Sequence, residues 1–464
     1  MRNKYITAFV ICLTIAASSC SDSWLDVSPT TSVETEKAIE NTTDADYALN
    51  GIYNTMQSYE YYGARMMYYG DVTGEDAQAY SNTKRCADFY MLQYNKDNAP
   101  SSFWKYPYKV IRLANNILAA KPAALTDDII GQALALRALA LFDVTKVYGS
   151  PYTKDAGKSW GGVILPQSSK YDVKPRRSTV AECYTQILAD LTKAVQILEN
   201  KANPGKLNQA AAKVLLARVY LYKGDFDNAL KTAEDAISSA EKIGYRLWKN
   251  EEYLAGWKDK MDIEVLFKIV NTATDNAGNE SLGGLYHDKG YKDIILSDDY
   301  LTLMKADTKD IRYALIEGKY FRKYLGNGTD EDFRSSDIPV FRLSEAYLIA
   351  SEAAIRQTTP DNDKAIKYLD AIVKRGNPTK SVSGTITLAQ ILTERRKELM
   401  GEGHRFFDAM RNGLLIERKG KSHLSALTPA ARSYDWNYFK TVLPVPKSEM
   451  DANENMRDQQ NSGY

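Results

Sequence analysis

The spacing of small and aromatic residues at positions 217–236 constrains the fold of this chain more than any other feature of its sequence. The pattern consists of Ala217, Tyr220, Gly224, Phe226, Ala229, Ala233 and Ala236. At these intervals the small residues line the facing sides of two helices and let their backbones approach closely, as in a tetratricopeptide helix pair. A single pair cannot bury its apolar face alone, so the pattern predicts a stack of several pairs.

Helical periodicity elsewhere in the chain supplies the other members of such a stack. It runs over segments 44–56, 109–120, 129–148, 179–198, 208–222, 342–356, 363–373 and 388–400. Segments 342–356 and 363–373 form a looser copy of the pair, and 129–148 with 179–198 form another that a long insertion separates. The two prolines of LPVP at 443–446 predict an extended segment instead. We therefore predict a mainly helical frame with long loops.

Two long stretches, 57–103 and 248–293, lack helical periodicity, and the first of them is rich in Tyr. The chain has 32 Tyr against 12 Phe and 6 Trp. A Tyr ring has apolar faces and a polar tip, which suits a half-exposed contact surface. Long irregular segments inside a compact protein are usually functional. We therefore predict that these loops carry a binding site.

The predicted ligand contacts come from both of these stretches. They are Tyr80, Asn82, Arg85, Tyr94, Tyr286 and Tyr291. Aromatic faces beside amide and guanidinium groups suit a sugar, because the C–H faces of its ring stack on the aromatic ring while its hydroxyls take hydrogen bonds. The alternative is that these tyrosines pack beneath the loops as part of the core.

The first 20 residues have the pattern of an export signal. Arg2 and Lys4 give a positive start, and an uncharged apolar run follows to Ala17. That run is shorter than the roughly 20 residues that a spanning helix needs. The small residues that lead into Cys20 resemble the lipobox of bacterial lipoproteins, in which this Cys is acylated. We predict cleavage after residue 19 and lipid anchoring through Cys20, with plain cleavage near Ala17 as the alternative.

Composition and motifs argue against several other classes. Lys and Arg total 60 against 59 Asp and Glu, so the net charge of +1 lacks the basic excess that a nucleic-acid partner requires. Three His and four Cys, without CxxC or HExxH, do not predict a zinc site. GKSWG at 157–161 has the spacing of a nucleophile elbow but lacks the strand and helix that such an elbow needs. We predict no catalytic residue, no metal and no cofactor.

Several motifs occur in the order and spacing of one known family. They are WLDVSP at 24–29, RALALFDVTKVYG at 137–149, DIEVLFKI at 262–269, DTKDIRYALI at 307–316, FRLSEAYLIASEAA at 341–354, ERRKELMGEGHRFFDAMRNG at 394–413 and LPVPKSEMDANENMRDQQNSGY at 443–464. Together with Cys20 they resemble the SusD/RagB nutrient-binding outer-membrane lipoproteins of Bacteroidetes. The resemblance extends over nearly the whole chain after the leader.

The resemblance implies an all-α, SusD-like fold. Four tetratricopeptide-like helix pairs would form the scaffold, and a loop-rich half would hold the ligand. The expected organisation is a signal peptide at 1–19, a lipidated Cys and tether at 20–43, and a body at 44–464. Within the body we expect an N-terminal SusD-like region at 44–205, the tetratricopeptide-like pair at 206–247 and a C-terminal SusD/RagB region at 248–464.

The resemblance also implies a function. We expect a lipid-anchored outer-membrane protein, facing the cell exterior, that captures an oligosaccharide or polysaccharide and delivers it to a SusC-like TonB-dependent barrel. Peptide capture by a RagB-type protein stays open. A secreted glycoside hydrolase that uses paired carboxylates, and an adaptor that binds only protein along its helix pairs, are alternatives from other classes.

Overall fold

The computed structural model describes residues 38–167, 173–258, 261–326 and 332–464, and it is built mainly from α-helices. They are α1 (Thr42–Met56), α2 (Arg65–Val72), α3 (Ala87–Met91), α4 (Ser101–Leu118), α5 (Asp127–Tyr148), α6 (Tyr152–Asp155), α7 (Val180–Ile197), α8 (Gln209–Lys223), α9 (Phe226–Lys242), α10 (Tyr253–Gly256), α11 (Leu282–Tyr286), α12 (Asp298–Lys305), α13 (Leu343–Arg356), α14 (Asn362–Gly376), α15 (Leu388–Leu399), α16 (Arg405–Arg411), α17 (Pro429–Arg432) and α18 (Lys447–Ala452). The predicted leader and Cys20 lie outside the described residues.

Eight of these helices form one continuous stack. Along the chain, α1 packs on α4, α4 on α5, α5 on α7, α7 on α8, α8 on α9, α9 on α13, and α13 on α14. The stack therefore consists of four helix pairs, α1 with α4, α5 with α7, α8 with α9, and α13 with α14. This arrangement is the helical frame that the periodicity predicted.

The turn between α8 and α9 shows how the sequence encodes one pair. Gly224 ends α8 with a positive φ of 81°, a conformation that glycine adopts without a steric cost. Asp225 then caps α9, since its side chain accepts a hydrogen bond from the backbone N–H of Asn228. Ala217 and Ala233 are fully buried, one on each helix. The small side chains therefore permit the close approach that the spacing predicted.

The Tyr-rich stretch between α1 and α4 is more ordered and more buried than predicted. It contains α2 and α3, and α4 begins at Ser101 rather than near residue 109, with Pro107 inside it. Tyr61 and Tyr90 are fully buried, and the Tyr61 hydroxyl donates to Asp143 Oδ2 over 2.6 Å. The tyrosines of this stretch bury well because their rings are large and apolar and protein groups can satisfy their hydroxyls.

Short antiparallel ladders pair segments of the chain outside the stack, some of them distant in sequence. The strands are β1 (Ala77–Ala79), β2 (Val265–Ile269), β3 (Ile294–Leu296), β4 (Ile316–Glu317), β5 (Tyr320–Phe321), β6 (Ile338–Arg342), β7 (Ile416–Glu417) and β8 (Ser433–Tyr434). They pair as β1–β3, β2–β6, β4–β5 and β7–β8. In the first ladder Ala77 lies opposite Leu296 and Ala79 opposite Ile294.

A buried ionic network connects α15 with the stack. Glu398 of α15 lies 2.9 Å from a nitrogen of Arg342, 2.7 Å from one of Arg375 and 3.2 Å from one of Arg312. Burial alone would raise the pKa of Glu398, but the three guanidinium groups hold it well below its usual value. Charges of segment 394–413 therefore lock helices together.

The C-terminal segment returns to the end of α5. The Leu443 N–H donates to the Val147 carbonyl over 2.9 Å, and Asn461 Nδ2 donates to the Tyr148 carbonyl over 2.8 Å. Leu443 and Val445 are fully buried, and no helix forms across LPVP, as its prolines predicted. None of the described helices is both long and apolar enough to cross a membrane.

Candidate functional site

The β1–β3 ladder brings two of the predicted loops side by side. Tyr80 directly follows β1, and its backbone N–H donates to the Asp293 carbonyl over 2.9 Å. Tyr291 lies three residues before β3. Both rings reach the surface, with 43% of Tyr80 and 39% of Tyr291 exposed. A pairing of distant strands thus creates an exposed aromatic pair, which periodicity within either segment could not reveal.

Two cations near these rings are held by one buried carboxylate. The side chain of Asp293 is 1% exposed, and its two oxygens lie 2.9 Å from Arg85 Nη1 and 3.2 Å from Lys84 Nζ. The Arg85 guanidinium lies over the Tyr291 ring, 4.1 Å from its centroid. The same guanidinium lies 3.6 Å from Glu280. Asp293 therefore fixes the position of a guanidinium that presents N–H donors beside an aromatic face.

Lys319 completes the surface around Tyr80. Its ammonium lies 4.6 Å from the centroid of the Tyr80 ring. Lys319 and Gly318 form the two-residue turn between β4 and β5, and Gly318 has a positive φ of 61°. The Leu296 N–H donates to the Lys319 carbonyl over 2.9 Å, which fastens this turn to β3. Asn82 is exposed in the turn between Tyr80 and Arg85.

These residues form one surface, which we call the aromatic patch. It consists of Tyr80, Asn82, Lys84, Arg85, Tyr291 and Lys319. Four of its members were predicted from the sequence. Lys84 and Lys319 were missed. The Gly318-Lys319 pair, which is typical of a two-residue hairpin turn, could have predicted that Lys319 lies at an exposed turn. No feature of the neighbouring sequence distinguished Lys84.

The backbone beside Tyr291 is tightly constrained. The Tyr291 N–H donates to the Gly284 carbonyl over 2.7 Å. A Cβ on Gly290 would lie 2.2 Å from that same carbonyl oxygen, so only glycine fits at this position. Lys292 follows with a φ of 53°, in the left-handed region that non-glycine residues seldom adopt. The loop therefore holds the Tyr291 ring at a defined place on the surface.

The other two predicted contacts, Tyr94 and Tyr286, lie in the core rather than on the aromatic patch. Tyr286 is fully buried, and its hydroxyl donates to Asp71 Oδ2 over 2.7 Å. Tyr94 is 1% exposed, and its hydroxyl donates to the Lys440 carbonyl. The prediction that these two rings face a surface ligand is wrong, because the core takes up each ring and a protein acceptor satisfies each hydroxyl.

The side chains of the aromatic patch are suited to binding a ligand. Two aromatic faces, an amide and several N–H donors can stack on a ring and hydrogen-bond to its substituents. Beneath the patch, the Cys86 thiol lies 3.4 Å from the Asp293 carbonyl, and burial raises its pKa well above the usual range. Cys86 and Cys183 are both free and buried. No group of three His, Cys, Asp or Glu side chains in the described part of the chain is placed to hold a metal ion.

The fold and the patch define a class of protein in which a stack of helix pairs supports loops that present an aromatic surface. The SusD family model matches residues 217–464. A second family model, described as starch-binding associating with outer membrane, matches residues 23–221. The chain belongs to the SusD family, as its ordered motifs predicted.

Solved and curated relatives agree with this assignment. A proposed sugar-binding protein of Bacteroides vulgatus is 46% identical over 92% of this chain and all of its own, with a TM-score of 0.87. A SusD superfamily protein of Bacteroides thetaiotaomicron is 36% identical over 91% of this chain and all of its own, with a TM-score of 0.85. SusD-like protein P2 of Formosa agariphila is 25% identical along the full length of both chains. The predicted all-α, SusD-like fold is confirmed.

Proposed function

We propose that this protein captures an oligosaccharide or polysaccharide on its aromatic patch and holds it without chemical change. The observation that carries the proposal is the exposed pair Tyr80 and Tyr291, flanked by the N–H donors of Arg85 and the amide of Asn82. A sugar ring offers C–H faces to such aromatic rings and hydroxyls to such donors. The starch-binding description of one matching family model and the sugar-binding role proposed for the Bacteroides vulgatus relative support a glycan as the ligand.

The proposal includes a place in the cell. Acylation of Cys20 would anchor the protein in the outer membrane, with the body facing outward, and the captured glycan would pass to a SusC-like TonB-dependent barrel. The outer-membrane description of the family and the lipobox-like residues before Cys20 support this location. Substitution of Cys20 by Ala should release the protein from the membrane fraction. Co-purification of a barrel protein with the wild type tests the partner.

Substitution of both exposed rings tests the aromatic patch. We expect Tyr80→Ala with Tyr291→Ala to lower the affinity for the bound glycan about tenfold or more, since each stacked ring contributes about 0.5–1.5 kcal/mol. Isothermal titration calorimetry against a panel of purified glycans and peptides measures the affinity. The melting temperature should stay unchanged, because both rings are on the surface. Tyr47→Ala, which removes an exposed ring from α1, serves as the matched control.

Each other outcome of this experiment has a defined meaning. An unchanged affinity in the double variant would contradict the assignment of the site to the aromatic patch. Binding of peptides without any glycan would favour the peptide-capture alternative. Release of shortened products from a bound polysaccharide would favour the glycoside hydrolase.

A further inference from the structure

A second opening in the surface lies apart from the aromatic patch, between α4 and α18. Val163, Leu165 and residues 173–175 contribute to its walls. We call it the α4 cavity. Its volume is about 430 Å³, within the range of roughly 300–1,000 Å³ that small-molecule sites occupy. It shares no lining residue with the aromatic patch.

One wall of the α4 cavity is aromatic and apolar. The rings of Trp104 and Tyr108 lie 4.8 Å apart at an angle of 42°. The Tyr108 hydroxyl accepts a hydrogen bond from the Val163 N–H over 2.5 Å, which fixes the ring. Leu165 and Met456 extend the apolar surface. The wall suits the flat face of a ring.

A row of cations borders that wall. Lys105, Lys109 and Arg112 lie on one side of α4, since positions three and four apart are neighbours on a helix. Both lysines are exposed, and in the described structure neither forms an ion pair. Like charges four residues apart on a helix repel each other. The chain thus carries a small repulsion here that an external anion would relieve.

An acceptor lies on the other side of the α4 cavity. Glu449 of α18 lines it and is half-buried. Burial raises the pKa of Glu449, and the charge of Lys105 offsets part of that rise. The cavity therefore combines an apolar wall, several N–H donors and one carboxyl group.

We propose that the α4 cavity is a second binding site, specific for an acidic saccharide unit such as a uronic acid. The ring face of the sugar packs on Trp104 and Tyr108, its carboxylate binds Lys105 and Lys109, and a hydroxyl donates to Glu449. Neutral sugars lack the group that the two lysines recognise. This second site is separate from the aromatic patch. Binding of the acidic sugar to it does not require that the patch captures a glycan.

Matched sugars test the proposal directly. Galacturonic acid and galactose differ only at C6, which is a carboxylate in the acid and a hydroxymethyl group in galactose. Each sugar is titrated into the full-length protein by isothermal titration calorimetry. We expect galacturonic acid to bind at least tenfold more tightly than galactose, with an affinity that falls as salt rises. Lys105→Gln with Lys109→Gln should lower that affinity at least tenfold. Lys193→Gln with Lys231→Gln, at exposed positions of α7 and α9, should leave it unchanged.

The variant with both patch tyrosines replaced separates the two sites. It should bind galacturonic acid as the wild type does. Loss of binding in that variant would assign the acid to the aromatic patch and overturn the proposal. Equal affinity for both sugars, no binding of galacturonic acid, or unchanged affinity in the double lysine variant would overturn it as well. Lys105→Glu, a single charge reversal at an exposed position, is the second variant, and it should abolish binding at an unchanged melting temperature.

Discussion

Asp71 shows how strongly burial acts on one residue of this protein. Its side chain is buried, and it accepts hydrogen bonds from the Tyr286 hydroxyl and, over 3.2 Å, from the Gly403 N–H. Burial raises the pKa of Asp71 to about 8, and the hydrogen bond from Tyr286 only partly opposes the rise. At neutral pH the folded protein therefore holds Asp71 largely in its neutral form.

This pKa predicts a pH dependence of stability. The folded state binds the Asp71 proton more tightly than the unfolded chain, whose pKa is near 3.8, so folded-state stability falls as pH rises from about 4 to about 8. Asp71→Asn keeps the shape and cannot ionise. We expect the free energy of unfolding of the variant, relative to wild type, to rise by about 2 kcal/mol or more between pH 4 and pH 8. Urea denaturation measures it, and parallel pH profiles would contradict the prediction.

Single residues also set the limit of what the sequence predicted about the site. Tyr80, Asn82, Arg85 and Tyr291 lie together on the surface, and their role in binding stays a prediction. Tyr94 and Tyr286 came from the same stretches and looked equivalent. A Tyr suits both surface and core, and the segments that cover a given ring lie far away in the chain. Periodicity therefore identified the stretches but could not separate exposed from buried rings.

The elements of the frame were the most predictable part of the molecule. Helices α5, α7, α8 and α14 start near the predicted positions, because a side chain caps the first turn of each, as Thr179 does for α7 together with Glu182. Helices α2 and α3 were missed because they are short and buried on nearly all sides, which removes the contrast between apolar and polar faces. The start of α4 was missed because Pro107 interrupts its pattern.

The close approach of two loop segments at Gly290 gives a prediction for an element. A methyl group at this position would collide with the Gly284 carbonyl that the Tyr291 N–H binds. We expect Gly290→Ala to displace the Tyr291 ring and to lower glycan affinity several-fold, with the helical content unchanged. Calorimetry and circular dichroism measure the two effects.

A glycine without neighbours provides the control. A Cβ on Gly51 of α1 would meet no atom within 4 Å, so Gly51→Ala should bind as wild type and be equally or more stable. Retained affinity in Gly290→Ala would show that the loop position does not control binding.

At the scale of the whole molecule, the ionic network around Glu398 predicts that the helical stack and the loop-rich half unfold in one transition. Glu398→Gln removes the one carboxylate that the buried guanidinium groups of Arg312, Arg342 and Arg375 share, which costs about 3–5 kcal/mol. We expect urea transitions followed by circular dichroism and by Trp fluorescence to shift together, since both halves share one core. Glu417→Gln, in an exposed pair with Lys419, should shift neither. Separation of the two transitions would contradict a single cooperative unit.

The return of residues 443–464 to the end of α5 also bears on biosynthesis. The carbonyls of Val147 and Tyr148 accept hydrogen bonds from Leu443 and Asn461, which the ribosome adds to the chain some 300 residues later. The first half of the frame therefore cannot reach its final state before residues 443–464 have been made. Until then the nascent chain exposes apolar surface to which a chaperone can bind.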